Sequence, residues 1–191
     1  MDIIFASNNK GKIKEVQSLV SSTIKIMSMA ECGIHADIPE PYFTFKENAW
    51  AKASYVNKET QKSCFAEDSG LVVPALNGEP GVLSARYAGV DTTDAKNNAK
   101  LLSAIQHVDD KRCYYQAVIC LIINGAEYYF EGKCMGTITL TPRGNDGFGY
   151  DPLFIPDGYN QTFGELPLAE KNKISHRAEA MGKLLAFLNT Y

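Results

Sequence analysis

No C-x-x-C pair occurs among the five cysteines, Cys32, Cys64, Cys113, Cys120 and Cys134, and their number is odd. That argues against a disulfide framework or a zinc site and fits reduced, mostly buried thiols in a cytoplasmic protein. Basic residues are not in excess: 19 Lys and Arg stand against 22 Asp and Glu, for a net charge of −3. A general nucleic-acid or membrane-surface binder would show the opposite balance. The longest apolar stretch, Ala117 to Ile123, is far below membrane-spanning length, and Met1-Asp2-Ile3-Ile4-Phe5-Ala6 carries no basic stretch of the kind that opens a signal peptide. Linkers, internal repeats and low-complexity tracts are missing too. These absences leave a soluble 191-residue chain, 45% hydrophobic, long enough for one domain with a real core spanning residues 1–191.

Apolar spacing then divides the chain into strands and helices. Strands are expected over Ile3 to Ala6, Ile24 to Met29, Phe65 to Val73, Tyr114 to Ile123 and Glu127 to Cys134, with Gly136 to Leu140 extending the sheet. Helices are expected after Ser7-Asn8-Asn9, over Phe45 to Thr60, over Thr93 to Ile105, and from a Ser175 cap onward. Asn124-Gly125 is the strongest hairpin signal. Strand–helix alternation followed by a hairpin gives an α/β fold of mixed α+β character with a mixed sheet.

Chemistry concentrates where these elements end. Phe65-Ala66 reads as a buried strand ended or interrupted by Glu67-Asp68-Ser69-Gly70. Two adjacent carboxylates repel and resist desolvation, and a divalent cation such as Mg²⁺ would relieve both costs. Ser7-Asn8-Asn9-Lys10-Gly11-Lys12 lies between a strand and a helix, where exposed amides attract anions. It lacks the first glycine of a P-loop, a place taken by Ala6. Glu40, and Lys52 on the helix face shared with Asn48, offer a carboxylate for metal and a cation for phosphate. In Gly147-Phe148-Gly149-Tyr150-Asp151, two glycines free a loop to present Phe148 or Tyr150 to a base; the pattern does not match the dinucleotide fingerprint. Lys171 and His176-Arg177 near the start of the last helix oppose its dipole, which fits an acceptor-rich ligand.

Taken in order, SNNKGK (7–12), TFKENAWAKA (44–53), AEDSGLVVPALNGEPGVLSARYAG (66–89), GFGYDPLF (147–154) and EKNKISHRAEA (170–180) resemble the inosine triphosphate pyrophosphatase family, which clears non-canonical purine nucleoside triphosphates. The resemblance implies an elongated two-lobed α/β fold around a long twisted mixed sheet, an active-site cleft between the lobes, and a homodimer. It also implies Mg²⁺-dependent hydrolysis of ITP, dITP or XTP to monophosphate and pyrophosphate. Carried over position by position, Ser7, Asn8, Asn9, Lys10, Gly11, Lys12, Lys52 and Ser69 would hold the substrate's phosphate end. Glu40 and Asp68, with Glu67 nearby, would bind metal, and Asp68 would accept the proton of the attacking water. Phe148, Gly149, Tyr150, Asp151, Lys171, His176 and Arg177 would form the nucleobase pocket. A non-catalytic nucleotide-binding module, or a pyrophosphatase for other aberrant nucleotides, are the rival readings.

Overall fold

The computed structural model describes residues 1–20 and 24–191. Its strands are β1 (Asp2–Phe5), β2 (Lys25–Ser28), β3 (Cys64–Val72), β4 (Arg112–Ile123), β5 (Ala126–Ile138) and β6 (Phe154–Pro156). They form a six-stranded sheet in the order β2-β1-β3-β4-β5-β6. β1 runs parallel to both β2 and β3, whereas β5 and β6 are antiparallel, so the sheet is mixed as expected. The helices are α1 (Lys10–Leu19), α2 (Phe45–Thr60), α3 (Asp94–Ile105), α4 (Leu168–Ile174) and α5 (His176–Thr190).

Local chemistry accounts for most boundaries. Asn9, Thr44 and Thr93 cap α1, α2 and α3, each side-chain oxygen accepting an amide three residues on. Asn124 and Gly125 both take positive φ, +50° and +76°, the turn that a two-residue hairpin needs between β4 and β5. Two boundaries differ from expectation. Lys171 belongs to a separate short helix, α4, because Ser175 turns extended (ψ 152°) before α5 begins. The acidic pair does not end β3 either: the strand runs through Glu67 and Asp68 to Val72.

The chain gathers into two compact units. The first comprises residues 1–68, 117–132 and 177–191, the second residues 69–116 and 133–176. In the first unit the alternation of each strand sorts its side chains onto two cores. Ile3, Phe5, Phe65, Ile119 and Leu121 pack with Val16 of α1 and with Ala180, Met181 and Leu184 of α5. Ile4, Ala6, Cys64, Ala66, Cys120 and Ile122 pack with Ala49, Ala53 and Val56 of α2. The second unit has its own core, including Leu71, Leu101, Ile105, Tyr115, Phe154 and Phe163. Gly70 belongs to this unit and has no substitute there, since a Cβ would lie 2.3 Å from the carbonyl oxygen of Gly81. Among the described residues no helix is long and apolar enough to cross a membrane.

Candidate active site

Strand alternation explains the acidic pair. Counting along β3, residue 67 shares the face of Phe65, toward α1 and α5, and residue 68 shares the face of Cys64 and Ala66, toward α2. The two carboxylates therefore point into different helix layers and do not face each other. Each carboxylate has a different hydrogen-bonded or nearest cation, Arg177 for Glu67 and Lys52 for Asp68, while Lys12 acts on both.

On the α1/α5 face, Arg177 donates from Nε and Nη2 to the two oxygens of Glu67, both at 2.7 Å, and from Nη1 to Glu15 of α1. Lys12 Nζ stands 3.4 Å from Glu67 Oε1. Glu15, Glu67 and Arg177 are all buried. Burial works against the guanidinium's charge, but Glu67 and Glu15 more than offset it and raise its pKa. Burial lowers the Lys12 pKa, and Glu67 opposes it. Two acids meet two cations here.

On the α2 face, Lys52 Nζ donates to Glu40 Oε1 and lies 3.4 Å from Asp68 Oδ1. Asn48, fully buried, donates from Nδ2 to Asp68 Oδ2 at 3.2 Å and to the carbonyl oxygen of Tyr42 at 3.1 Å, while its own oxygen accepts the Tyr42 amide. Lys52 and Asn48 sit one turn apart on α2, so a single helix face ties Asp68 to the segment carrying Glu40. Here the two acids converge on the Lys52 ammonium. Burial pushes the Asp68 pKa above the usual carboxylate range, although Lys52 and Lys12 pull it down. Burial also opposes the Lys52 charge, yet Asp68 and Glu40 win and raise its pKa.

The 7–12 segment opens α1. Ser7 Oγ accepts the Asn9 amide at 3.2 Å, Asn9 Oδ1 accepts the Lys12 amide at 3.0 Å, and Asn8 Nδ2 donates to the Ala36 carbonyl oxygen at 3.1 Å. The amides of Lys10 and Gly11 lie in the first turn, ahead of the helix's own i→i−4 ladder.

In the second unit, Asp151 is the hub. Its Oδ2 accepts from Lys171 Nζ at 2.5 Å and from the Phe148 amide at 2.9 Å, and its Oδ1 accepts from the Tyr115 hydroxyl at 3.4 Å. Lys171 Nζ also lies 5.3 Å from the centre of the Phe148 ring and 5.2 Å from that of Phe163. The His176 imidazole stacks on Tyr115, with centroids 4.7 Å apart and planes 9° from parallel. Tyr150 is buried with its hydroxyl donating to the Ser84 carbonyl oxygen at 2.9 Å, whereas Phe148 is half-buried. Of the two aromatics in the loop, Phe148 is the less buried. Ser69, half-buried, begins this unit within β3.

The structure thus groups Glu40, Lys52 and Asp68, pairs Glu67 with Lys12 and Arg177, and assembles Phe148, Asp151, Lys171 and His176. Sequence reasoning missed Tyr115, Glu15 and the anchoring part of Asn48. Asn48 was legible as a polar residue one turn from Lys52 on α2. Tyr115 and Glu15 carried no local signal, because each matters only through partners far along the chain.

A model of the Ham1 family matches residues 3–187. The chain belongs to the Ham1 family. A dITP/XTP pyrophosphatase of Flavobacterium psychrophilum is 46% identical over 187 residues, covering 98% of each chain. One of Porphyromonas gingivalis is 44% identical, covering 97% of this chain and 96% of its own. Among solved structures, a HAM1 protein from Coxiella burnetii superposes with a TM-score of 0.91 at 40% identity over the whole of both chains. The Staphylococcus aureus Ham1 protein does so with a TM-score of 0.90 at 37% identity, covering 100% of this chain and 99% of its own.

Proposed function

We propose that this Ham1-family chain is a Mg²⁺-dependent pyrophosphatase of non-canonical purine nucleoside triphosphates (ITP, dITP and XTP), releasing nucleoside monophosphate and pyrophosphate. The observation that carries the reading is the α2 face, where Glu40 and Asp68 converge on the ammonium of Lys52. That face fits a hard, oxygen-liganded cation. Among the described residues no group of three or more His, Cys, Asp or Glu gathers as a metal cage. Two carboxylates with substrate phosphates and water completing the shell is the usual arrangement for Mg²⁺ at a nucleotide. Glu67, already matched by Arg177 and Lys12, is the weaker candidate ligand.

Bound between Glu40 and Asp68, Mg²⁺ would polarise phosphate oxygens and acidify a water. The remaining work falls to the protein's own groups. Asp68, whose basicity burial raises, takes the proton of the water that attacks the α-phosphorus. Lys52 holds Asp68 and Glu40 in register. Ser7, Asn8, Asn9, Lys10, Gly11, Lys12 and Ser69 receive the phosphate chain, with Lys12 and Lys52 opposing its charge of about −4 near neutral pH. Phe148 stacks on the base and Gly149, Tyr150 and Asp151 shape the loop around it. Lys171 and His176 complete the pocket and favour a purine with a carbonyl oxygen at its six position, whereas Arg177, its guanidinium held by Glu67 and Glu15, braces the α1/α5 face. In this reading the working protein is a cytoplasmic homodimer.

A panel of ITP, dITP, XTP, GTP and ATP, scored for both products with Mg²⁺, tests the proposal. ITP, dITP and XTP should each yield pyrophosphate and monophosphate in equal amounts. Release of orthophosphate, or equal turnover of ATP, would overturn it.

The Asn48 contact has a kinetic signature. Its N–H stabilises ionised Asp68, so removing it favours the protonated acid, and a protonated Asp68 accepts nothing. Activity is lost as pH falls through the Asp68 pKa. In Asn48→Ala that acid limb should move to higher pH, because a hydrogen bond that favours the ionised form is lost. Profiles of log kcat against pH at saturating Mg²⁺ read the shift, and coincident limbs would disprove the coupling.

A further inference from the structure

Asp151 holds the Phe148 amide from one side, and the glycines on either side of Phe148 leave the rest of its backbone to other contacts. Gly147 and Gly149 both take positive φ, +79° and +63°, a region that glycine enters at little cost and leaves as easily. A Cβ at Gly149 would meet nothing within 4 Å, so no wall of side chains confines that residue. What holds it is α3. The Gly149 amide donates to Asp94 Oδ2 at 2.7 Å, and the Gly149 carbonyl oxygen accepts from Asn98 Nδ2 at 3.1 Å. Asp94 and Asn98 are one helical turn apart and so present their groups on one face. Asn97, on the same face, donates to the carbonyl oxygens of Ser84 and Ala85 at 3.4 and 3.2 Å, and Ser84 is also the acceptor for the Tyr150 hydroxyl. One helix face thereby grips the loop at residue 149 directly and at residue 150 through the 84–85 turn.

Asn98 strengthens the case. Its Oδ1 is buried and has no hydrogen-bond partner among the described residues. An unpaired buried acceptor is a desolvation cost that an apolar residue would avoid, so that oxygen gives no account of an asparagine here. Its amide nitrogen on the Gly149 carbonyl does.

We infer that Asp94 and Asn98 are positioning residues that fix the Gly149 peptide and with it the attitude of the Phe148 ring. This rests on the proposed nucleobase role of Phe148 for its functional consequence, though not for its structural one. With the clamp removed, the substrate loses a preset stacking face, and binding suffers while the chemistry at Asp68 does not.

The test therefore has two arms. Amide hydrogen exchange reads the clamp without any substrate: Gly149 should be protected in the wild type and in Asp94→Asn, which keeps an acceptor oxygen, and exchange freely in Asp94→Ala. In steady-state kinetics, the Asp94→Ala, Asn98→Ala double variant should raise KM for ITP by about tenfold with kcat changed by less than about twofold, a loss of binding common to ground and transition states. Binding of tripolyphosphate, which has no base, should match the wild type. Unchanged Gly149 exchange in Asp94→Ala would overturn the clamp. Altered exchange with unaltered KM would overturn its role in recognition, and equal weakening of tripolyphosphate would reduce both residues to general stability. A wild type that ignored ITP would instead refute the proposed function and leave the exchange result standing.

Discussion

Asp68→Asn should turn over ITP at a hundredth of the wild-type rate or less, the scale on which a positioned general base contributes. The substitution keeps the side chain's shape and its place on the α2 face of β3. An amide oxygen can still face Asn48 or Lys52, so folding should survive. What disappears is the lone pair that takes the proton and one of the two charges that converge on Lys52. Both losses fall on turnover at saturating nucleotide. Initial rates of pyrophosphate release at several Mg²⁺ concentrations measure them, with a thermal melt as the control. Turnover within about fivefold of wild type would remove Asp68 from the role of base, since general-base contributions are typically far larger.

Arg177→Ala should damage the protein in a different way. The guanidinium is the shared partner of Glu15 and Glu67, both buried, and all three of its bonding nitrogens are engaged by them. Truncation removes the hydrogen-bonded cation of two carboxylates in a low-dielectric layer. Breaking a buried pair by deleting one partner costs about 3–5 kcal/mol, which for a chain of this size lowers the melting temperature by roughly 10 °C. The cost should be relieved from the other side: adding Glu15→Gln and Glu67→Gln to Arg177→Ala should recover a good part of the lost temperature, because the stranded charges are what destabilise. A melting curve that does not distinguish the triple variant from the single one would contradict this. The ordering matters for any assay of base selectivity, since a loss of activity in Arg177→Ala has to be separated from partial unfolding before a change in the ITP to ATP ratio is read as recognition.

Much of the scaffold was legible because it depends on near neighbours. Apolar spacing and a Thr44 cap give α2 its limits of Phe45–Thr60, and Asn124-Gly125 gives the hairpin. The short β6, residues 154–156, and the break between α4 and α5 at Ser175 were not, since neither has a periodicity long enough to read. The site divides the same way. Asp68, Glu40 and Lys52 could be named as candidates from residue type and position, and the structure brings them together. Which cation serves which carboxylate could not be read, because that depends on strand parity combined with the helices layered on each side. Parity alone places residues 67 and 68 on opposite faces; it takes the sequence-distant α1 and α5 to supply Glu15 and Arg177, and α2 to supply Asn48. Tyr115 was read only as one more residue of an apolar strand, yet it reaches both His176 and Asp151.

The guanidinium that neutralises Glu67 lies 110 residues further along the chain, and 162 beyond Glu15. At 5–20 residues per second, a ribosome needs roughly 5–20 s after making Glu67 before Arg177 exists at all. Through that interval the α1 layer has Lys12 but not Arg177 to set against Glu15 and Glu67. The full set of partners for these two acids is complete only once the start of α5 has been made, so this face of the sheet is among the last parts of the first unit whose charges can be matched.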